Sequence, residues 1–133
     1  MKNIMTIKFN IIERANPRDL EAPKKFYPSI QSSGRMSLRQ LSQRISQMCT
    51  VSSPDTMAVL ESLLTIIPQE LANGNIVELG DFGNFWLRSS SAGAEEMDKV
   101  SASQVTSLMP RFNPGKEFKK ALTTVDFVKS PQN

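Results

Sequence analysis

Histidine is missing from all 133 residues, and cysteine occurs once, at Cys49. The first absence removes the commonest general base and the commonest zinc ligand, so His-dependent triads and metallohydrolases are excluded. The second leaves no intramolecular disulfide, and a lone thiol fits a reducing compartment better than secretion. No Walker-type or G-x-G-x-x-G loop appears, and no nucleophile can be matched with a base. The sequence therefore reads as a non-enzyme, with no cofactor, metal or small-molecule substrate expected. No apolar run is long enough to span a membrane. The stretch Met1–Ile12 is broken by Lys2, Asn3, Lys8 and Asn10 and lacks the apolar block of a signal peptide, which points to the cytoplasm.

What is present is enough for one domain plus an extension, with 39% apolar residues. A dimer would bury that apolar surface better than a monomer. The net charge of +3 conceals a segregation: residues 1–44 carry +6, residues 45–110 carry −6 and residues 111–133 carry +3. Two basic ends can meet on one anion-binding surface. The plainer alternative is that mixed charge keeps a small protein in solution.

Along the chain, Thr6–Glu13 alternates and is rich in β-branched residues, which predicts a strand. Lys24–Ile30 surrounds Pro28 and reads as an edge strand or extended segment. Ser32-Ser33-Gly34 is a linker, so residues 1–35 form an extension. Ser37-Leu38-Arg39-Gln40 is a capping box opening a helix whose stripe is Leu38, Leu41, Ile45 and Met48. Ser53-Pro54-Asp55 opens a second helix, capped by a hydroxyl. Its apolar positions, Met57, Leu60, Leu64, Ile67 and Leu71, are widened by Val59, Leu63 and Ile66. A stripe that broad asks for more partner surface than one short helix offers. Pro68 is expected to kink it, and Asn73-Gly74 to close it.

Ile76–Leu79 and Phe82–Leu87 read as strands, with Gly83 allowing a turn or bulge that brings Phe82 and Phe85 to one core. Trp86 should then face the other way. Ser89–Ser91 and Gly93 open a projecting segment of about 88–110, Val100–Leu108 returns as a strand, and Met109-Pro110 ends it. A last helix is expected over Pro114–Val128, with Asn113 as cap, an inner face of Phe118, Leu122 and Val125, and Lys116, Lys119 and Lys120 on another face.

Two strings in this order, Asp81-Phe82-Gly83-Asn84-Phe85 and Met109-Pro110-Arg111-Phe112-Asn113-Pro114-Gly115-Lys116, resemble the Gly-Phe-Gly-x-Phe and Pro-x-Phe-x-Pro-Gly-Lys signatures of the bacterial histone-like HU/IHF family. The likeness covers about Ser37–Val128, and the extended N-terminus resembles a divergent HU-related subgroup. It implies an α+β fold with two N-terminal helices, a three-stranded antiparallel sheet with a protruding β-arm, a C-terminal helix and an intertwined homodimer. It also implies architectural, low-specificity binding of double-stranded DNA in the nucleoid, mainly through the backbone. The expected division is an extension over 1–35, an HU-like domain over 36–129 and a tail over 130–133.

By position, Arg88 matches the basic residue at the base of the family's arm, and Lys116 and Lys119 match phosphate-contacting lysines. Arg111, Lys120, Lys24, Lys25, Arg35 and Arg39 join them as candidate DNA contacts on charge and location. Each has a plainer reading: a solvated helix face for the three lysines, a cross-strand ion pair for Arg88, edge protection for Lys24 and Lys25. The arm departs from the family. Ser89–Leu108 holds Glu95, Glu96 and Asp98 against Lys99 and no proline, so its charge repels phosphates, and only Met97 offers an apolar wedge. The alternative function is thus an HU-like dimer turned to protein interaction, with little DNA binding.

Overall fold

The computed structural model describes residues 5–131, which fold as two compact units. The first takes in the chain up to Ser37 and again from Leu122; the second runs from Leu38 to Ala121.

The first unit is a three-stranded sheet. β1 (Met5–Arg14) lies in the centre, paired antiparallel with β2 (Lys25–Ile30) and parallel with a late strand, β6 (Val125–Lys129). Pro28 is tolerated because β2 is an edge strand, where a missing donor breaks no central ladder. The strand β6 corrects the expected last helix over Pro114–Val128. Helix α3 spans only Lys116–Ala121, and the chain then turns into β6. Thr123, Thr124 and Val125 are β-branched and stiff at χ1, which disfavours a helix, and β1 supplies the ladder that pairs them onward.

The second unit opens with α1 (Leu38–Met48) and α2 (Ser53–Ala72). α1 starts where the capping box put it. The hydroxyl cap of α2 is Ser52, one residue before the expected position; its side chain accepts from the Asp55 N–H at 3.2 Å. α2 continues past Pro68 and ends just before Asn73-Gly74. A sheet of order β3–β4–β5 follows, all antiparallel: β3 (Val77–Glu78), β4 (Gly83–Ser91) and β5 (Val105–Pro114). Met109-Pro110 does not end the return strand. β5 runs through it to Pro114, because β5 is an edge strand and Pro110 can lie opposite Leu87 with its nitrogen outside the ladder. The β4–β5 hairpin is closed by residues 92–104, which hold two single-turn 3-10 segments, Met97–Lys99 and Ala102–Gln104.

The described residues are thus mixed α and β, with three α-helices. The core is thin: among the described large apolar residues only Leu71 is buried. No helix of the described residues is long and apolar enough to cross a membrane.

Candidate nucleic-acid interface

The two motif strings are far apart in sequence and interlocked in space. Gly83 stands opposite Pro114 in the β4–β5 register, and the Gly115 N–H donates to the Phe82 carbonyl at 2.8 Å. Gly83 has φ 145°, backbone reserved for glycine, and a Cβ there would lie 2.5 Å from the Asn113 carbonyl oxygen. A Cβ on Gly115 would collide with the Asp81 carbonyl. Each glycine is therefore the space that lets the other string pass. The turn lies just before Gly83 and not at it: the 3-10 turn Gly80–Phe82 takes Phe82 out of the expected strand, which starts at Gly83, and so brings Phe82 and Phe85 into one cluster. Phe112 lies 5.5 Å from Phe82, 4.9 Å from Phe85 and 5.7 Å from Phe118 by ring centroid. Phe118 meets Phe82 edge-on at 4.9 Å. These rings pack on one another, which is the structural role expected for them.

That cluster anchors α3 to the end of the sheet by its Phe118 side. At 100° per residue, Lys116 and Lys120 project some 160° away from Phe118, and Lys119 about 100° away. All three are exposed.

The sheet has two unlike faces. Phe85 and Leu87 on β4, with Leu108 and Pro110 on β5, line a hollow of about 400 Å³ closed by Ile67, Pro68, Leu71 and Ala72 of α2. Alternation along the strands puts Asn84, Trp86 and Arg88 on the opposite face. Across the ladder Trp86 lies opposite Arg111 and Arg88 opposite Met109, so both arginines occupy that outer face as diagonal neighbours beside the indole. Trp86 faces away from Phe85, as its position predicted. Among the described residues, neither Arg88, Arg111, Lys116 nor Lys119 is paired with a carboxylate, so the cross-strand ion pair considered for Arg88 does not form. Glu78 shares the outer face but sits beside Asn84, at the other end from Arg88.

The fold thus brings Arg88 and Arg111 together and sets the α3 lysines on the helix that follows β5. Arg39 is exposed in the first turn of α1. Lys24, Lys25 and Arg35 are exposed in the first unit. Sequence reasoning overlooked Arg14, which stands directly opposite Lys25 in the β1–β2 ladder. Only the hairpin pairing reveals two like charges side by side.

Helices, a β3–β4–β5 sheet with a long hairpin, and a short helix locked on by interleaved glycine and phenylalanine strings define an HU-type protein of the HU/IHF family. More specifically, the chain belongs to the HU-HIG family, described as an HU domain fused to a wHTH, Ig or glycine-rich motif, which it matches over residues 5–129. It is 33% identical over 85 residues to DNA-binding protein HU of Thermus thermophilus, covering 59% of this chain and 84% of that one. It is 32% identical over 87 residues to the integration host factor beta subunit of Stutzerimonas stutzeri, covering 63% and 94%. A crystal structure from Bacteroides vulgatus, assigned as a candidate bacterial DNA-binding protein, superposes with a TM-score of 0.65 at 12% identity. That likeness extends over 97% of this chain, which spans half the length of the Bacteroides protein.

Proposed function

We propose that this chain is an architectural, low-specificity DNA-binding protein of the nucleoid, acting as a homodimer and contacting mainly phosphates. The observation that carries the reading is the outer sheet face, where Arg88 and Arg111 stand exposed beside Trp86 without acidic partners. The relatives named for HU and for integration host factor support it. Guanidinium groups suit bidentate phosphate contacts, and lysines add point charges. In this reading Arg88 and Arg111 seat the duplex at the base of the arm, and Lys116, Lys119 and Lys120 grip the backbone beside them. Arg39 on the second unit, and Lys24, Lys25 and Arg35 on the first, are further phosphate contacts in this reading.

The homodimer is supported by α2. Val59, Leu63, Leu64 and Ile66 are exposed on it, a broad apolar stripe that a second α2 would cover.

The test is a gel shift on duplex DNA with the Lys116/Lys119/Lys120→Ala triple variant. Affinity should fall to a similar degree on unrelated sequences, because phosphate contacts carry no sequence information. Unchanged affinity would remove those lysines from the site. A second reading, an HU-like dimer serving protein interaction, is favoured by one observation. The hairpin end combines Glu95, Glu96 and Asp98 with a Met97 side chain that is 93% exposed. Pull-downs with and without nuclease separate the two, since partners bridged by DNA vanish on digestion.

A further inference from the structure

The sheet of the first unit has one face that is apolar on all three strands, and this face is largely exposed, with Ile7, Phe9 and Val125 half-buried. Strand alternation and register put Met5, Ile7, Phe9 and Ile11 of β1 on one face with Phe26, Pro28 and Ile30 of β2 and Val125 and Phe127 of β6. The other face is mixed, with Thr6, Lys8, Asn10, Arg14, Ser29, Lys25 and Asp126 alongside Ile12, Tyr27 and Val128. On the apolar side Phe26 is 70% exposed, Ile30 66%, Phe127 59%, Met5 53% and Ile11 45%. No described residue of this unit is fully buried. A single sheet layer has no core, and a stable sheet needs a second layer on its apolar side.

We propose that this second layer is the same sheet of another copy of this chain, the two packing face to face as a six-stranded sandwich. Two arguments select a second copy. The exposed fractions amount to roughly 600 Å² of mostly apolar surface per copy for side chains of this size. Two copies would hide about 1,200 Å², which reaches the range of specific interfaces. Charge supplies the second argument. The face carries two charged residues, Glu13 beside Phe26 and Lys129 beside Phe9. They are four positions apart along β1, about 13 Å, too far to pair within one copy. A twofold axis crossing β1 near Ile11, midway between those positions, sets Glu13 of each copy near the partner's Lys129, forming two equivalent pairs. Self-complementarity of this kind is what an isologous interface requires. The sandwich is independent of the DNA-binding reading and of the α2 stripe.

Thiol cross-linking in the full chain tests it. In a Cys49→Ser background, Ile11→Cys places a thiol near the axis, and Asn10→Cys places one on the opposite face as a collision control. Facing sheets stand about 10 Å apart, beyond a direct disulfide, so a short bis-thiol-reactive cross-linker at low micromolar protein should link two chains through Ile11→Cys and leave Asn10→Cys largely monomeric on a denaturing gel. Glu13→Lys or Lys129→Glu alone should lower the trapped yield by roughly fivefold, the scale expected of two rim ion pairs. The charge-swapped double variant should restore it, which also shows that these chains fold. Absence of the Ile11→Cys link, equal trapping by both cysteines, or no restoration in the double variant would overturn the proposal. The first outcome would mean that the face packs on another part of its own chain or on a different protein.

Discussion

At the scale of single residues, the site depends on two places where no side chain fits. Gly83 lies in backbone that other residues avoid and against the Asn113 carbonyl, so Gly83→Ala should destabilise the protein by about 1–3 kcal/mol. Denaturant midpoints will show it; a loss below about 0.5 kcal/mol would mean that the crossing of the two strings is looser than described. Arg88 and Arg111 make the complementary case, because nothing in the described fold requires their charge. Arg88→Ala with Arg111→Ala should leave the unfolding midpoint nearly unchanged and weaken duplex binding tenfold or more, as about 1.4 kcal/mol of lost phosphate contact implies. Equal affinity of the double variant would place the duplex elsewhere.

At the scale of elements, α2 combines a strong sequence signal with an unmet demand. Its repeat of Met57, Leu60, Leu64, Ile67 and Leu71 made the helix legible, and its width announced a partner. Leu71 is buried while Leu63, Leu64 and Ile66 remain exposed. Leu63→Asp with Ile66→Asp should therefore remove the α2 contact and lower association in sedimentation to what the sheet sandwich alone supports, since each carboxylate would have to leave water in the interface. A dimer of undiminished stability would show that α2 is not the contact. Legibility followed the range of the interaction. Local devices were readable from neighbouring residues: the capping box before Leu38, the stop at Asn73-Gly74, the glycine strings and the α3 lysines. Distant pairings were not. β6 read as helix because its partner β1 lies more than a hundred residues away, and Pro110 read as a strand end because the edge position of β5 is a property of the sheet. For the site, the candidate cations were visible in sequence. The common face of Arg88, Arg111 and Trp86, and the Arg14–Lys25 juxtaposition, arise only from register.

At the scale of the whole molecule, exposure is the dominant fact. The chain presents 11779 Å² to solvent. A compact monomer of this length would present about 7,000 Å², and two separate compact domains sized like the two units about 8,000 Å². Association would cover that surplus, as the proposed homodimer and the proposed sheet sandwich each require. The charge pattern works at the same scale. A basic chain end and basic α3 flank an acidic middle, and the arginines on the outer sheet face add to them. In the proposed function this distribution draws in polyanions and leaves sequence unread. The direct measurement is duplex affinity as a function of salt. If the dimer neutralises about six phosphates, log affinity should fall against log salt with a slope of roughly −5, alike for unrelated sequences. A slope near zero, or no binding to duplex at low salt, would contradict the account.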